Sequence, residues 1–307
     1  MKTKELKKLA IILVAVIGIG ITGCKKDEKQ TNTDSMQQLS SDQNSVQGAS
    51  DEGLNDANGV LEQGAASRGY KLPCNVTLDT VIITGDTVKY TLTYNGLNCL
   101  QNVNRSGVVI VKKKLSDLWK TAGTKVYVQF INFKITKHAR TVTVNGIKVF
   151  ENVSGGFVFN LGDGTTTSVT HRVSGYLNAT FEDGTARTWN IARQLTYTGN
   201  ASTQQLVLTA DGFGSADGYS NLETWGTTRK GDAFYSQILT PVSIKQECAW
   251  DAASGALSIS IPAETIKATI TCGFDKNDKP ITNGDCPAKF KLDWEKQGKS
   301  GTIFCWL

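Results

Sequence analysis

The amino-acid sequence predicts an all-β protein: a large antiparallel meander, built as a sandwich or an open-barrel-like sheet, after a disordered N-terminal tether. Three observations support this class. Apolar and polar residues alternate along many short segments from about residue 70 onward. Dipeptides typical of tight turns separate these segments, and residues 25–66 contain no aromatic residue at all. The alternation indicates strands with one buried and one hydrated face.

The strands are identified by their apolar faces. Four segments show the alternation, with these apolar positions: Val88, Tyr90, Leu92 and Tyr94; Trp189, Ile191, Leu195 and Tyr197; Leu257, Ile259 and Ile261; Phe290, Leu292 and Trp294. Arg193 lies between the apolar residues of the second segment. One helix of two turns is predicted in the body, over residues 115–122.

Turn-forming dipeptides separate these strands. Residues 76–83 and 88–94 are predicted to form a hairpin around residues 84–87. Asparagine or aspartate followed by glycine accepts the positive φ angles of tight hairpin turns. Such pairs occur at Asn95-Gly96, Asn145-Gly146, Asp163-Gly164, Asp183-Gly184 and Asn283-Gly284. Strands joined by short turns favour a meander over β-α-β units.

The first 24 residues have the pattern of an exported, lipid-anchored protein. Four lysines precede an apolar run over residues 9–21, which is too short to span a bilayer. Ile21-Thr22-Gly23-Cys24 resembles the bacterial lipobox, which implies cleavage after Gly23, a diacylglycerol thioether on Cys24 and acylation of the new amine. Several acyl chains give stable anchoring. A plain signal peptide with a chance cysteine is the alternative.

Three regions follow from this interpretation: a signal peptide (1–23), a lipid-anchored low-complexity tether (24–69) and a β-rich body (70–307). Residues 25–66 are rich in Gln, Ser, Asn, Asp, Gly and Ala. They offer little apolar surface, so we expect disorder. The body is long enough for one large domain, with a possible disulfide-stapled C-terminal part from about residue 241.

The charge balance argues against a nucleic-acid partner. Removing residues 1–23 removes four lysines and one glutamate, so the formal charge falls from +5 to +2. Nucleic-acid binding would need a clustered basic face. The basic run Lys112–Lys114 is interpreted as a hydrated edge or turn. The expected partners are the bilayer, through Cys24, and an unidentified protein or glycan.

Six cysteines remain besides Cys24, and an even number in an exported chain indicates disulfides. They are Cys74, Cys99, Cys248, Cys272, Cys286 and Cys305. The predicted hairpin places Cys74 nearly opposite Cys99, which favours that pair. The connectivity of the other four is left open by their spacing. A zinc site is the alternative, although no Cys-x-x-Cys pair or cysteine–histidine cluster is present.

The order of motifs resembles a family of uncharacterised lipoproteins from the Bacteroidetes. The matching segments are residues 107–111, 130–133, 142–149, 181–185 with Trp189, 229–231, 241–242 with 248–250, and 283–286. The resemblance implies no assigned activity, and it implies the pairs Cys248–Cys286 and Cys272–Cys305. Residues 25–29 resemble the charged signal that sends such lipoproteins to the cell surface. An outer-membrane location is therefore expected.

No catalytic motif stands out. An enzyme would need at least two of five titratable residues to converge in a cleft: His138, His171, Glu182, Asp211 and Asp217. Neighbouring acids such as Glu182 and Asp183 point to opposite faces of a strand, which disfavours a glycosidase pair. No cofactor is expected apart from the lipid on Cys24.

Two weaker binding sites are considered. The oxygen-rich loop with Asp275, Asn277, Asp278 and Asp285 is a candidate calcium site, with ordinary polar turns as the alternative. Trp119 and Trp225 are candidate exposed platforms for sugar rings. The sequence thus predicts a membrane-anchored, non-enzymatic binding or structural module of the cell envelope. A surface glycan-binding accessory protein and a hydrolase with an unrecognised site are the alternatives.

Overall fold

A computed structural model describes residues 34–63, 72–137, 140–282 and 284–307. In these ranges one helix precedes fifteen strands that form a single antiparallel sheet, so the all-β prediction is confirmed. The elements are α1 (Asp34–Gln63), β1 (Val76–Thr84), β2 (Thr87–Leu97), β3 (Asn104–Lys114), β4 (Thr124–Lys137), β5 (Arg140–Asn152), β6 (Ser168–Phe181), β7 (Ala186–Asn200), β8 (Gln205–Gly212), β9 (Gly214–Ala216), β10 (Tyr219–Thr227), β11 (Ala233–Lys245), β12 (Asp251–Ile261), β13 (Ile266–Phe274), β14 (Lys289–Lys296) and β15 (Lys299–Trp306).

The sheet is a meander with one irregularity at its centre. Strands β1 to β7 and β10 to β15 each pair with the next strand in sequence. Between β7 and β11, the shorter strands β8 and β10 occupy one position in the sheet, because each pairs with both neighbours. β10 pairs with Trp189–Ile191 of β7, whereas β8 pairs with Arg193–Asn200. Residues 240–242 lie inside β11, where the pairing with β12 shifts register on both sides.

The turn predictions are partly confirmed. Thr84 pairs with Thr87 in the β1–β2 hairpin, and Gly184 closes the β6–β7 turn by donating to the Phe181 carbonyl. Asp163-Gly164 lies in the loop before β6. Asn95-Gly96 and Asn145-Gly146 instead lie inside β2 and β5, so those hairpin predictions are wrong.

Close contact between strands explains why Asn145-Gly146 lies inside a strand. A Cβ on Gly146 would lie 2.2 Å from the Tyr176 carbonyl oxygen of the paired strand, so glycine is needed for backbone approach. Asn283 lies outside the described residues. The predicted helix over residues 115–122 is a loop of turns, in which Leu115 and Leu118 are exposed.

One face of the sheet carries the core. The alternating residues of β2 and β7 are buried, as predicted, and they join a single apolar cluster with residues of α1. The helix lies on this face with Met36, Leu39, Val46, Ala49 and Leu54 buried. Its other side is exposed at Gln37, Gln38, Asn44 and Gly48.

The predicted disorder of residues 25–66 is wrong for Asp34–Gln63, which form α1. The prediction failed because amino-acid composition does not report tertiary contacts, and it is contacts with the sheet that stabilise this helix. Its N-terminal Ser35 donates to Glu264 after β12, and its C-terminal Asp56 accepts from Arg105 on β3. Packing against a sheet supplies the stability that a polar helix lacks in isolation. Cys24 lies outside the described residues.

Two disulfides agree with the predictions. Cys74 pairs with Cys99 and Cys248 with Cys286, with Cα atoms 5.0 and 5.2 Å apart. The pairing of Cys272 with Cys305 is wrong, because Cys272 is a free, buried thiol. Cys272 on β13 and Cys305 on β15 both pair with Phe290 of the intervening β14. Two strand spacings of about 4.8 Å exceed the reach of a disulfide.

Candidate functional site: a basic groove beneath the N-terminal helix

Five cationic residues lie along the sheet face that α1 covers: Arg105, Lys148, Arg187, Arg193 and Arg229. We call this set the basic groove. The first four lie on β3, β5 and β7, with two on β7, and Arg229 lies in the β10–β11 turn. Their strand positions follow the two-residue period of the apolar residues, so the charges point into the core face. Helix α1 carries six acids and no lysine or arginine. The helix and groove are therefore oppositely charged.

The N-terminal third of α1 binds the groove through Asp42. Arg229 donates to both carboxylate oxygens of Asp42, with Nε–O distances of 3.0 and 2.9 Å and an Nη2–O distance of 2.7 Å. The guanidinium also lies over the Phe181 ring and donates to Asp183 at 3.0 Å. Asp42 is buried, with 2% of its surface exposed. A bidentate, charge-assisted contact of this type fixes both position and orientation.

The middle of α1 meets Lys148, which is fully buried. Its ammonium donates to the Ser50 hydroxyl at 2.6 Å and lies 4.9 Å from the centre of the Trp189 ring. Burial lowers the pKa of Lys148 to about 8, against the attraction of Asp51. Burial also raises the pKa of Asp51. Cation–π attraction and one hydroxyl thus replace much of the hydration that this ammonium has lost.

Beside Lys148, Arg193 forms an ion pair within the sheet. Its guanidinium contacts Glu223 at 2.9 and 3.0 Å, and Glu223 accepts a further bond from Ser236. Glu223 lies where the β10–β11 register shifts, which turns its side chain into the core. The charge of Arg193 is therefore paired by a residue of the sheet and does not depend on α1.

The C-terminal part of α1 binds Arg105. This guanidinium contacts Asp56 at 2.5 Å and Glu52 at 3.4 Å, and it donates to the Cys74 carbonyl at 2.7 Å. It also lies over the Tyr94 ring. Burial raises the pKa of Asp56 to about 6, opposed by the positive charge of Arg105. The carbonyl of Cys74 links this contact to the Cys74–Cys99 disulfide.

Arg187 differs from the other four cations. Its side chain is 2% exposed, and Nε, Nη1 and Nη2 all lack a hydrogen-bond partner among the described residues. The guanidinium carbon lies 4.7 Å from the centre of the Phe234 ring. Burial lowers the pKa of Arg187 to about 10, partly offset by the nearby charge of Asp42. Arg187 is therefore a groove cation with no hydrogen-bond partner among the described residues, either on α1 or on the sheet.

The predicted tryptophan sites are both partly buried. Trp119 packs against the core, with its ring 5.3 Å from that of His171. Trp225 lies on the opposite sheet face, where its ring covers Gly214 of β9. In the same row of paired residues lie Asn190 of β7 and the half-exposed Tyr176 of β6. Only Trp225 thus belongs to an aromatic surface.

The candidate calcium loop is organised by its own hydrogen bonds. Asp275 accepts from the backbone of Asn277 and Lys279, Asp278 pairs with Lys289, and Asp285 accepts from Thr282. In the described part of the chain, no three His, Cys, Asp or Glu side chains are grouped as metal ligands. Polar turns account for the contacts of these acids.

The candidate catalytic residues occupy separate surroundings. His171 lies between the rings of Trp119 and Tyr197, and burial lowers its pKa to about 4. Glu182 accepts from the Thr141 backbone, and Asp217 accepts from the Tyr235 hydroxyl. Asp211 accepts from the next amide. His138 lies outside the described residues. The contacts therefore bring no two of the four described residues together.

Sequence reasoning missed four of the five groove cations and placed Arg193 on the apolar face without a role. The signal was present in the register: Arg105 is four residues from Val109, Lys148 four from Val144, and Arg187 two from Trp189. Even spacing along a strand places each cation on the face of its apolar neighbour. The binding partner was not visible, because α1 was interpreted as disordered.

Comparison of the chain with protein-family models, with curated proteins and with solved structures found no match. The resemblance to Bacteroidetes lipoproteins stays a prediction. None of the helices described here is long and apolar enough to cross a membrane.

Proposed function

We propose that this protein is a lipid-anchored, non-enzymatic binding module of the outer membrane that faces the cell surface. Its anchor is the diacylglycerol and N-acyl lipid on Cys24, and its binding face is the basic groove. The lipobox-like residues 21–24 support the anchor. The near-neutral charge left after processing supports a partner other than nucleic acid.

The anchor is tested by metabolic labelling with palmitate and by membrane fractionation. The unmodified chain should incorporate the label and sediment with the outer membrane. Cys24→Ala should abolish both properties. The anchor would be excluded if the unmodified chain did not incorporate palmitate, or if the Cys24→Ala protein stayed membrane-bound.

The observation that carries the binding role is the acidic helix lying in the basic groove. Of the side chains described on α1, five apolar ones are buried, and the rest of the contact is made by charged, amide, hydroxyl and glycine residues. The other side of the helix faces solvent. A surface helix held by ionic contacts separates from its support more easily than a strand held on both edges. The groove is therefore a binding surface covered by a segment of the same chain.

Hydrogen exchange, followed peptide by peptide, tests this role. We expect α1 amides to exchange faster than those of β6 and β7, and to accelerate about two-fold between 0.05 and 0.5 M NaCl, because salt screens the charges of helix and groove once opening exposes them but acts only weakly on the buried pairs. Amides of β6 and β7 are the internal control and should not respond. Exchange of α1 at the rate of the sheet, without salt dependence, would contradict the proposal.

A glycan-binding role is the second candidate, and Tyr176, Asn190 and Trp225 favour it. These residues form one cross-strand row on the face opposite α1, so the two rings lie about 10 Å apart with an amide between them. Aromatic rings and amides suit sugar stacking and hydrogen bonding. A glycan array should show binding that Trp225→Ala and Tyr176→Ala both abolish. Trp119→Ala, on the core side, is the matched control. Binding that survives both outer substitutions would exclude this surface.

A further inference from the structure

The guanidinium of Arg187 lacks any hydrogen bond to the described residues although it is almost fully buried. Buried charges in proteins are paired as a rule, and a guanidinium offers five donors. The Arg187 guanidinium lies over the Phe234 ring, and Asp42 attracts it, but the carboxylate oxygens of Asp42 accept hydrogen bonds from Arg229 and Gln38. α1 therefore fills the groove incompletely.

The rest of the groove shows what kind of group it accepts. Carboxylates of Asp42, Glu52 and Asp56 lie on Arg229 and Arg105, and a hydroxyl lies on Lys148. From Asp42 to Asp56 the helix advances about 21 Å at 1.5 Å per residue. A small anion would satisfy only one of these cations.

The groove also has apolar and close-packed positions. Leu39, Val46 and Leu54 of α1 are buried in it, and Gly53 lies against Phe130 and Phe133. The surface is thus shaped for a helix that has acids on the same side as a few aliphatic residues. A second copy of α1 would leave Arg187 unpaired in the same way.

We infer that the groove binds an acidic, weakly apolar helical segment of another protein, which replaces α1 and places an additional carboxylate on Arg187. This inference rests on the proposed binding role of the groove. It identifies the ligand class as an acidic peptide helix. It also identifies Arg187 as the residue by which the groove distinguishes that ligand from α1.

Fluorescence anisotropy with labelled peptides tests the inference. The protein is the full mature chain with Asp42→Asn, which removes its own carboxylate from Arg229 and so weakens the competing α1. The reference probe is a peptide that copies residues 34–63. The test probes add one acid within about one turn of Asp42, by Leu39→Glu, Gln43→Glu, Ser45→Glu or Val46→Glu. A peptide with all six acids changed to amides is the charge control.

At least one test peptide should bind about ten-fold or more tightly than the reference, because a charge-assisted bond to a buried guanidinium is among the stronger hydrogen bonds. Arg187→Gln in the same protein should remove that advantage, so that the test and reference peptides bind with affinities within about two-fold of each other. Arg187→Lys keeps the positive charge but loses the planar guanidinium that binds a carboxylate bidentately, so part of the gain in affinity should remain. Thermal melting of each variant checks that it is folded.

Three results would overturn the inference: no test peptide binds more tightly than the reference, the advantage survives Arg187→Gln, or the amide peptide binds as well as the acidic ones. If α1 also opens with salt in the hydrogen-exchange experiment, the ligand class is wrong but the groove remains a binding face. If α1 does not open, the proposed function fails as well.

Discussion

At the scale of single residues, the sheet face beneath α1 combines satisfied and unsatisfied charges. Arg193 has Glu223 at 2.9 Å, whereas Arg187, six residues earlier on the same strand, lies over the Phe234 ring and has no hydrogen-bond partner in the described part of the chain. Both are almost fully buried. Because a buried charge is costly when it is unpaired, the two arginines should affect stability in opposite directions.

We expect Arg187→Met to raise the free energy of unfolding by roughly 1–3 kcal/mol, because it removes an unpaired charge and keeps most of the side-chain volume. Arg193→Met, the matched control, should lower that free energy by about 3–5 kcal/mol, because it leaves Glu223 buried without its partner. Urea denaturation of both variants and of the unmodified chain measures the difference. Equal destabilisation by the two substitutions would contradict the assignment of Arg187 as unpaired.

His171 should make the protein sensitive to mild acid. Its pKa is about 4 in the folded protein, because the imidazole is buried, and 6.5 is its ordinary value. The unfolded chain therefore binds more protons between pH 6.5 and 4, so stability is complete above pH 6.5 and falls as the pH falls. The loss is up to about 3 kcal/mol.

His171→Phe removes this titration and keeps an aromatic ring between Trp119 and Tyr197. The difference in unfolding free energy between the two proteins should therefore change with pH between 6.5 and 4. Urea denaturation at several pH values measures this difference. The contributions of Asp56 and other titrating groups are the same in both proteins, so they cancel. A difference that is constant across this range would rule out the buried neutral histidine.

At the scale of elements, strands were predictable from sequence and the helix was not. Period-two alternation identified the buried faces of β2, β7, β12 and β14 because each strand shows its environment in its own residues. α1 has no such signal: its few aliphatic residues are separated by polar ones that become buried only against Arg105, Lys148 and Arg229. A helix stabilised by partners 49 to 187 residues away in sequence is not encoded by local composition.

Glycine dipeptides were similarly ambiguous. Asp183-Gly184 forms the predicted turn, while Asn145-Gly146 lies in the middle of β5. Both need a glycine, one for a turn and one for close strand contact. Local sequence does not distinguish these two reasons.

Two glycines of α1 give a test of how closely the helix packs. A Cβ on Gly53 would lie 3.0 Å from Phe130 and 3.1 Å from Phe133, whereas Gly48 has nothing within 4 Å. We expect Gly48→Ala to raise the free energy of unfolding by about 0.5–1 kcal/mol through helix propensity. Gly53→Val should lower it by about 1–3 kcal/mol through overpacking.

Thermal melting and hydrogen exchange of α1 measure both effects. Gly53→Val should accelerate exchange of α1 amides without changing those of β6. If neither substitution changed the exchange rates of α1 amides, the helix would not lie against Phe130 and Phe133.

At the scale of the whole molecule, the helix shortens the connection to the proposed anchor. The interpretation as a tether allowed about forty flexible residues, but α1 begins at Asp34, ten residues after Cys24. A chain of ten residues spans at most about 36 Å. If Cys24 carries the proposed lipid, the end of the sheet that carries Lys230 and Glu264, bound to Ser35, lies within about that distance of the membrane.

A photo-crosslinking residue at position 230 should therefore label lipids in intact membranes. The same residue at Ser116, beyond the opposite ends of β3 and β4, should label them several-fold less. Both positions are exposed, so accessibility is matched. Mass spectrometry of the crosslinked products measures the ratio, and equal or reversed labelling would contradict this orientation.

The position of α1 also sets the order in which the chain can fold. Ser35 contacts Glu264 and Asp42 contacts Arg229, across 229 and 187 residues of sequence. The N-terminal part of α1 therefore finds its partners only after most of the sheet has been synthesised. Contacts of such long sequence separation slow folding, because much chain entropy is lost before they form. The acidic helix is made before the loop that carries Arg229, so that end of the basic groove is open on every newly synthesised molecule for as long as the sheet takes to assemble.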